Sequence, residues 1–166
     1  NGSFDFTKHA FSFANFDDSV GGATMNAPLA ARLFGDQAVC VTGAGATCVA
    51  RPSAQVWIDE VGAQTAFGHS EGMAVLASLM SLGKVNPADF GGDTAAALDR
   101  ENPKLKEELA YWAATQKVQA AHAKDVKLTA RELMPFLATA LPNSSEGYRM
   151  LLSVRDETGF HAGHAV

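Results

Sequence analysis

At 166 residues and 17.4 kDa the chain has the size of one ordinary domain, long enough to bury roughly 70% of its extended surface without a metal or several disulfides. Hydrophobic residues make up 47% and charged residues 19%, which excludes a disordered tail. A formal charge of −5 with no Lys/Arg cluster argues against nucleic acid as a partner, and the longest nearly unbroken apolar run, residues 73–82, is half the length of a bilayer span.

The first segment carries Phe4, Phe6, Phe11, Phe13 and Phe16. So many aromatics are costly to leave in water, so the segment is expected to pack onto the body. Asn1 stands where an initiator Met would, which fits a removed signal or pro-segment, although no n-region remains to mark one. Residues 1–52 are otherwise rich in Gly and Ala, with weak periodicity, and read as irregular with short helices. Cys40 and Cys48, the only cysteines, flank Val41-Thr-Gly-Ala-Gly-Ala-Thr47. A Gly-rich loop of this length can fold back and close a disulfide, contributing about 2–3 kcal/mol and implying an oxidising compartment. Two buried free thiols in a cytosolic protein are the plainer alternative. The spacing fits no zinc motif, and Gly43-Ala-Gly45-Ala lacks the further glycine of a dinucleotide fingerprint.

Ser53 is placed to cap a short helix through about Val61, with Val56 and Trp57 inward. Residues 70–82 are apolar nearly all round, which predicts a helix buried on most faces, ended by Gly83 in a left-handed turn. Asn86-Pro-Ala-Asp-Phe90 reads as a turn into a short helix. Asn102 before Pro103 is an N-cap followed by proline at the first helical position. That helix is expected to reach about Ala123, with Leu105, Leu109, Trp112 and Gln116 near one stripe and the charges of residues 104–127 on a solvated face. Thr129-Ala-Arg-Glu132 matches a capping box. It opens a helix with Leu133, Phe136, Leu137 and Ala140 inward and Pro135 kinking or tightening it. Residues 142–147 read as a loop, and 148–154 and 159–166 as strands, the first alternating Tyr148, Met150, Leu152 and Val154 on one face. Helices first and strands last make a single α+β domain. The chain stops inside the second strand, so further sequence or a second chain beyond Val166 is expected to complete the sheet.

Three features converge on one candidate site. Gly68-His69-Ser70-Glu71-Gly72-Met73 puts Ser70 at the start of the most buried helix, where unpaired N–H groups and about half a positive charge stabilise an oxyanion. The simpler reading makes Ser70 an N-cap. Gln64 carries an amide that could donate to that oxyanion. His164 sits in a strand among small residues, in Gly159-Phe-His161-Ala-Gly163-His164, where a surface or core histidine is the plainer reading. Glu71 could tune substrate preference, a solvated first-turn Glu being the simpler reading.

Together these residues resemble the papain-like cysteine peptidase superfamily, and more specifically bacterial members carrying Gly-His-Cys-x-Gly-Met. The resemblance implies a helical part with a long central helix, followed by the start of an antiparallel sheet. It implies a peptide or protein substrate and, as catalytic residues, a nucleophile at Ser70, a proton-transferring His164 and an oxyanion-holding Gln64. Three departures accompany it. Ser70 stands where the family has cysteine, and a hydroxyl is far harder to ionise than a thiol of pKa ~8.5. An engineered Cys→Ser change is the least strained account; a natural pseudoenzyme serving as an interaction module and a true serine hydrolase are the alternatives. Ser70 and His164 are closer in sequence than the papain spacing of roughly 130–150, and Glu71 replaces the aromatic residue that usually follows the nucleophile. The Asn or Asp that would orient His164 would lie beyond Val166. A heterodimer with a second chain, and export to the extracellular space or cell surface, follow from the same reading. No cofactor is called for. His9, His69, His122, His161 and His164 form no His-Glu-x-x-His pattern, and His161 and His164 fall on opposite faces of a strand, so no metal site is expected.

Overall fold

The computed structural model describes residues 4–17, 24–123, 125–143, 150–155, 157–158 and 161–165, with the backbone alone for 142–143, 153–155 and 161–164. Asp5 opens α1 (Phe6–His9), its carboxylate accepting from the Thr7 N–H at 2.9 Å. Asn26 caps α2 (Ala27–Phe34) by accepting from the Leu29 N–H at 2.9 Å. After α3 (Asp36–Val39), β1 (Cys40–Thr42) and β2 (Val49–Ala50) pair antiparallel. The Cys40–Cys48 disulfide, with Cα atoms 5.3 Å apart, closes the hairpin loop. Both cysteines are buried, so the loop is also a wall of the core.

The next helix, α4 (Pro52–Thr65), is not capped by Ser53. Pro52 takes the first helical turn behind Arg51, and the helix runs past Val61. Its buried face is Ile58, Val61 and Thr65. Val56, expected inward, falls off that stripe and is 67% exposed, while Trp57 is half-buried against Phe34, ring centroids 4.8 Å apart. In α5 (Ser70–Ser81) no residue is exposed, as the all-round apolar pattern predicts. Gly83 ends it at φ +67°, a conformation that costs any other residue more, with its N–H donating to the Met80 carbonyl at 3.0 Å.

Asn102 caps α6 (Pro103–Thr115), accepting from the N–H groups of Lys104 and Leu105 at 2.9 and 3.2 Å. This helix stops short of Ala123. The Thr115 hydroxyl donates to the Trp112 carbonyl at 2.7 Å, and the N–H groups of Gln116 and Lys117 tighten onto carbonyls three residues back. In α7 (Ala130–Asn143) half of the capping box forms, the Thr129 N–H donating to the Glu132 carboxylate at 2.8 Å. The helix runs through Pro135 and takes in Pro142 and Asn143, both expected in a loop; residues 144–147 lie outside the described residues. Leu133, Leu137 and Ala140 are half-buried and Phe136 is exposed, so the expected inward face is only partly covered.

The last elements, β3 (Leu151–Arg155) and β4 (His161–Ala165), pair antiparallel from Leu151↔Ala165 to Arg155↔His161. The first strand begins later than expected. Tyr148 lies outside the described residues, as do Gly159, Phe160 and Val166, and Leu152 is exposed. Helices interrupted by the β1–β2 hairpin and followed by a second two-stranded antiparallel sheet make the architecture α+β.

Two buried clusters share α6. Ala110 and Ala114 join Met25, Leu29, the disulfide, Ile58 and Val61. Leu105 and Leu109 join Leu76, Met80, Phe90 and Phe16. Gly72 lets the α5 and α6 backbones touch, since a Cβ there would run into the Leu109 carbonyl oxygen. Of the aromatic first segment Phe16 is buried and Phe11 and Phe13 pack against the second cluster. Phe4 and Phe6 instead stay exposed, packed edge-to-face on each other. Among the described residues no helix is long and apolar enough to cross a membrane.

Candidate functional site

The junction between α4 and α5 fixes the start of the buried helix. Thr65 closes α4 with its buried hydroxyl donating to the Val61 carbonyl at 3.0 Å. The chain then passes through Gly68 at φ +149°. A side chain at Gly68 would be strained by that φ and would run into the Asn15 carboxamide. His69 takes the N-cap position without a capping side-chain bond, and Ser70 is the first residue of the helix, so the plainer N-cap reading of Ser70 does not hold. The His69 backbone N–H donates to Asn15 Oδ1 at 2.8 Å. Its ring is buried and stacked on Phe16, centroids 5.6 Å apart, with Nδ1 3.5 Å from the Phe16 carbonyl oxygen.

A cleft of about 230 Å³ opens over this helix start, lined by Asn15, Gln64, Thr65, Phe67, Gly68, Ser70, Glu71, Lys117 and Leu151. Gln64 and Ser70, singled out separately in the sequence, therefore share one cavity. Gln64 occupies the last turn of α4, exposed, its Nε2 donating to Glu60 at 3.4 Å. The end of β4 arrives at the same place, where the Ala165 N–H donates to Ser70 Oγ at 3.5 Å, the long end of hydrogen bonding. His164 immediately precedes Ala165 and pairs with Leu152; its side chain lies outside the described residues.

Glu71 is not solvated. It forms an ion pair with Lys117, just past the end of α6, and both side chains are largely covered. Lys106 is buried as well and meets Glu101 at 2.7 Å. The 104–127 segment is therefore not a uniformly solvated face. Asn15 and Lys117 are cleft residues that sequence reasoning missed. Asn15 is 54 residues from its partner His69, and no local pattern marks such a contact.

Among the described residues no group of three or more His, Cys, Asp or Glu is placed to hold a metal. His9 Nδ1 accepts from the Asp5 N–H at 2.9 Å and His122 meets Asp125 at 2.7 Å, both local contacts. The cleft thus joins a helix N-terminus, a hydroxyl and two carboxamides, a set suited to holding negative charge on an oxygen. Comparison with protein-family models, curated proteins and solved structures yields no match to the chain.

Proposed function

We propose that this chain is the nucleophile-bearing part of a papain-like hydrolase acting on peptide or amide bonds, with Ser70 at the position where cysteine serves. One observation carries the reading: α5 begins, β4 ends and Gln64 projects at a single cleft, the Ala165 N–H reaching Ser70 Oγ at 3.5 Å. With cysteine at position 70, the sulfur attacks the carbonyl carbon, His164 takes the thiol proton and returns it to the leaving amine, and water then releases the acyl group. Gln64 and the backbone N–H of residue 70 hold the oxyanion. With serine in place of the more readily ionised thiol, the chain as it stands is expected to be inactive by this route.

The substitution Ser70→Cys tests this directly. The two native cysteines are tied in their disulfide, so alkylation by iodoacetamide reports position 70 alone. The new thiol is expected to titrate well below the ordinary value of about 8.5 and to react rapidly at pH 7. The pair Ser70→Cys, His164→Ala is expected to return it to ordinary behaviour. A slow, ordinary thiol in the single variant would instead favour a non-catalytic interaction module. Labelling of the unaltered chain at Ser70 by a fluorophosphonate would favour a serine hydrolase.

The second chain and the exported location belong to the same reading. Their support is the disulfide and a hairpin whose strands have no further neighbour among the described residues. Intact mass of the native protein checks both: a second polypeptide and a gain of two hydrogens on reduction are expected, and a single reduced chain counts against both.

A further inference from the structure

We infer that Asn15, in the aromatic first segment, is a catalytic residue of the same cleft, donating from Nδ2 to the oxyanion. This rests on the hydrolase reading above. A carboxamide has one accepting oxygen and one donating NH₂ group. The His69 backbone N–H can only donate, so the Asn15 atom it meets at 2.8 Å must be the oxygen. That bond fixes the plane of the amide and leaves Nδ2 as its free end. Nδ2 lies over Gly68, in space that opens only because Gly68 lacks a Cβ. Among the described residues no acceptor takes a hydrogen bond from it. Asn15, Gly68 and Ser70 all line the cleft, so an anchored donor is presented beside the positive end of α5. Gln64 differs: it is exposed and its Nε2 is engaged by Glu60 at 3.4 Å. Of the two carboxamides Asn15 is the one anchored by a backbone N–H, and preorganisation is what makes an oxyanion hole effective.

The test compares two reactions of the Ser70→Cys protein, one passing through an oxyanion and one not. With p-nitrophenyl acetate the sulfur bonds to the acetyl carbon, the carbonyl electron pair moves onto oxygen, and its return expels p-nitrophenolate. With iodoacetamide the sulfur displaces iodide from a saturated carbon and no oxyanion forms. Both rates are read on the high-pH plateau, where the thiol is fully ionised. Adding Asn15→Ala or Asn15→Asp is expected to lower the ester rate at least tenfold, for loss of one oxyanion donor. The iodoacetamide rate is expected to stay within about twofold, since it draws on no such donor. Asn15→Asp keeps an oxygen for the His69 N–H, so it separates donation into the cleft from mere holding of the loop. An unchanged ester rate, or a parallel fall in both rates, overturns the inference while leaving the hydrolase reading intact. A sluggish, ordinary thiol in Ser70→Cys alone overturns both and is visible before any Asn15 variant is made.

Discussion

Gly72 separates two opposing expectations for a single methyl group. Helix propensity alone makes Gly→Ala in a helix interior favourable by about 1 kcal/mol. Here the added Cβ would run into the Leu109 carbonyl oxygen and stand 3.0 Å from the Ala113 backbone nitrogen. Neither atom can step aside without moving α6, and forced overpacking of this kind costs about 1–3 kcal/mol. Crowding wins, so Gly72→Ala is expected to destabilise the protein by about 2 kcal/mol, read as a lowered urea midpoint. A neutral or raised midpoint would mean that the helices separate easily. The Gly-His-Ser-x-Gly-Met pattern therefore divides its labour. Gly72 sets the distance between the helices, Gly68 makes room for Asn15, and Ser70 faces the cleft. The pattern was legible as a unit in the sequence, whereas the packing reason for its second glycine required Leu109, far along the chain.

Elements were legible where the signal is local to their own ends. Asn102-Pro103, Gly83, Asn86-Pro87 and the disulfide hairpin each carry their turn chemistry within a few residues, and each stands where it was expected. The end of α6 was not legible, because it is set by hydroxyl and backbone bonds to the preceding turn rather than by a Gly or Pro. The buried stripe of α4 was misread at Val56, which is apolar but off the contact face, whereas Trp57 packs against the first cluster as expected. The start of α7 yields a pH prediction. Its Glu132 carboxylate accepts from the Thr129 hydroxyl at 2.6 Å and from the Thr129 backbone N–H at 2.8 Å, and these bonds hold its pKa below the ordinary carboxylate value. A depressed folded-state pKa stabilises the fold above the unfolded value and ceases to as pH falls through the folded one. Amide-exchange protection in the first turn of α7 is therefore expected to drop on acidification below about pH 4, the ordinary carboxylate range. Glu132→Gln, which accepts the same bonds without titrating, is expected to flatten that dependence. A first turn equally protected at low and neutral pH would show that the cap contributes nothing.

At the scale of the whole molecule α6 is the shared spine. One cluster holds its Ala110 and Ala114, the other its Leu105 and Leu109, and Arg32 on α2 clasps Glu108 with its two terminal guanidinium nitrogens at 2.6 and 2.8 Å. The candidate site depends on this spine, since α5 is held against α6 and Lys117 reaches Glu71 from just beyond it. That dependence explains what the sequence could not reveal about the cleft. Gln64 and Ser70 are near neighbours and could be paired by spacing, while Asn15 and Lys117 arrive through packing between distant segments. The arrangement also predicts cooperativity. The two tryptophans report on opposite clusters, Trp57 packed against the first and Trp112 against the second. In variants retaining only Trp57 or only Trp112, the fluorescence transition in urea is therefore expected to coincide with the far-UV CD transition of the same variant, as a single cooperative unit requires. Leu109 is fully buried, and Leu109→Ala leaves a cavity expected to cost about 3–4 kcal/mol. Its cluster contains Trp112 and not Trp57. If α6 couples the halves, the substitution lowers both midpoints equally. A shift seen by Trp112 alone would mean that the clusters unfold separately, and that a lesion beside the cleft can be contained without loss of the disulfide half.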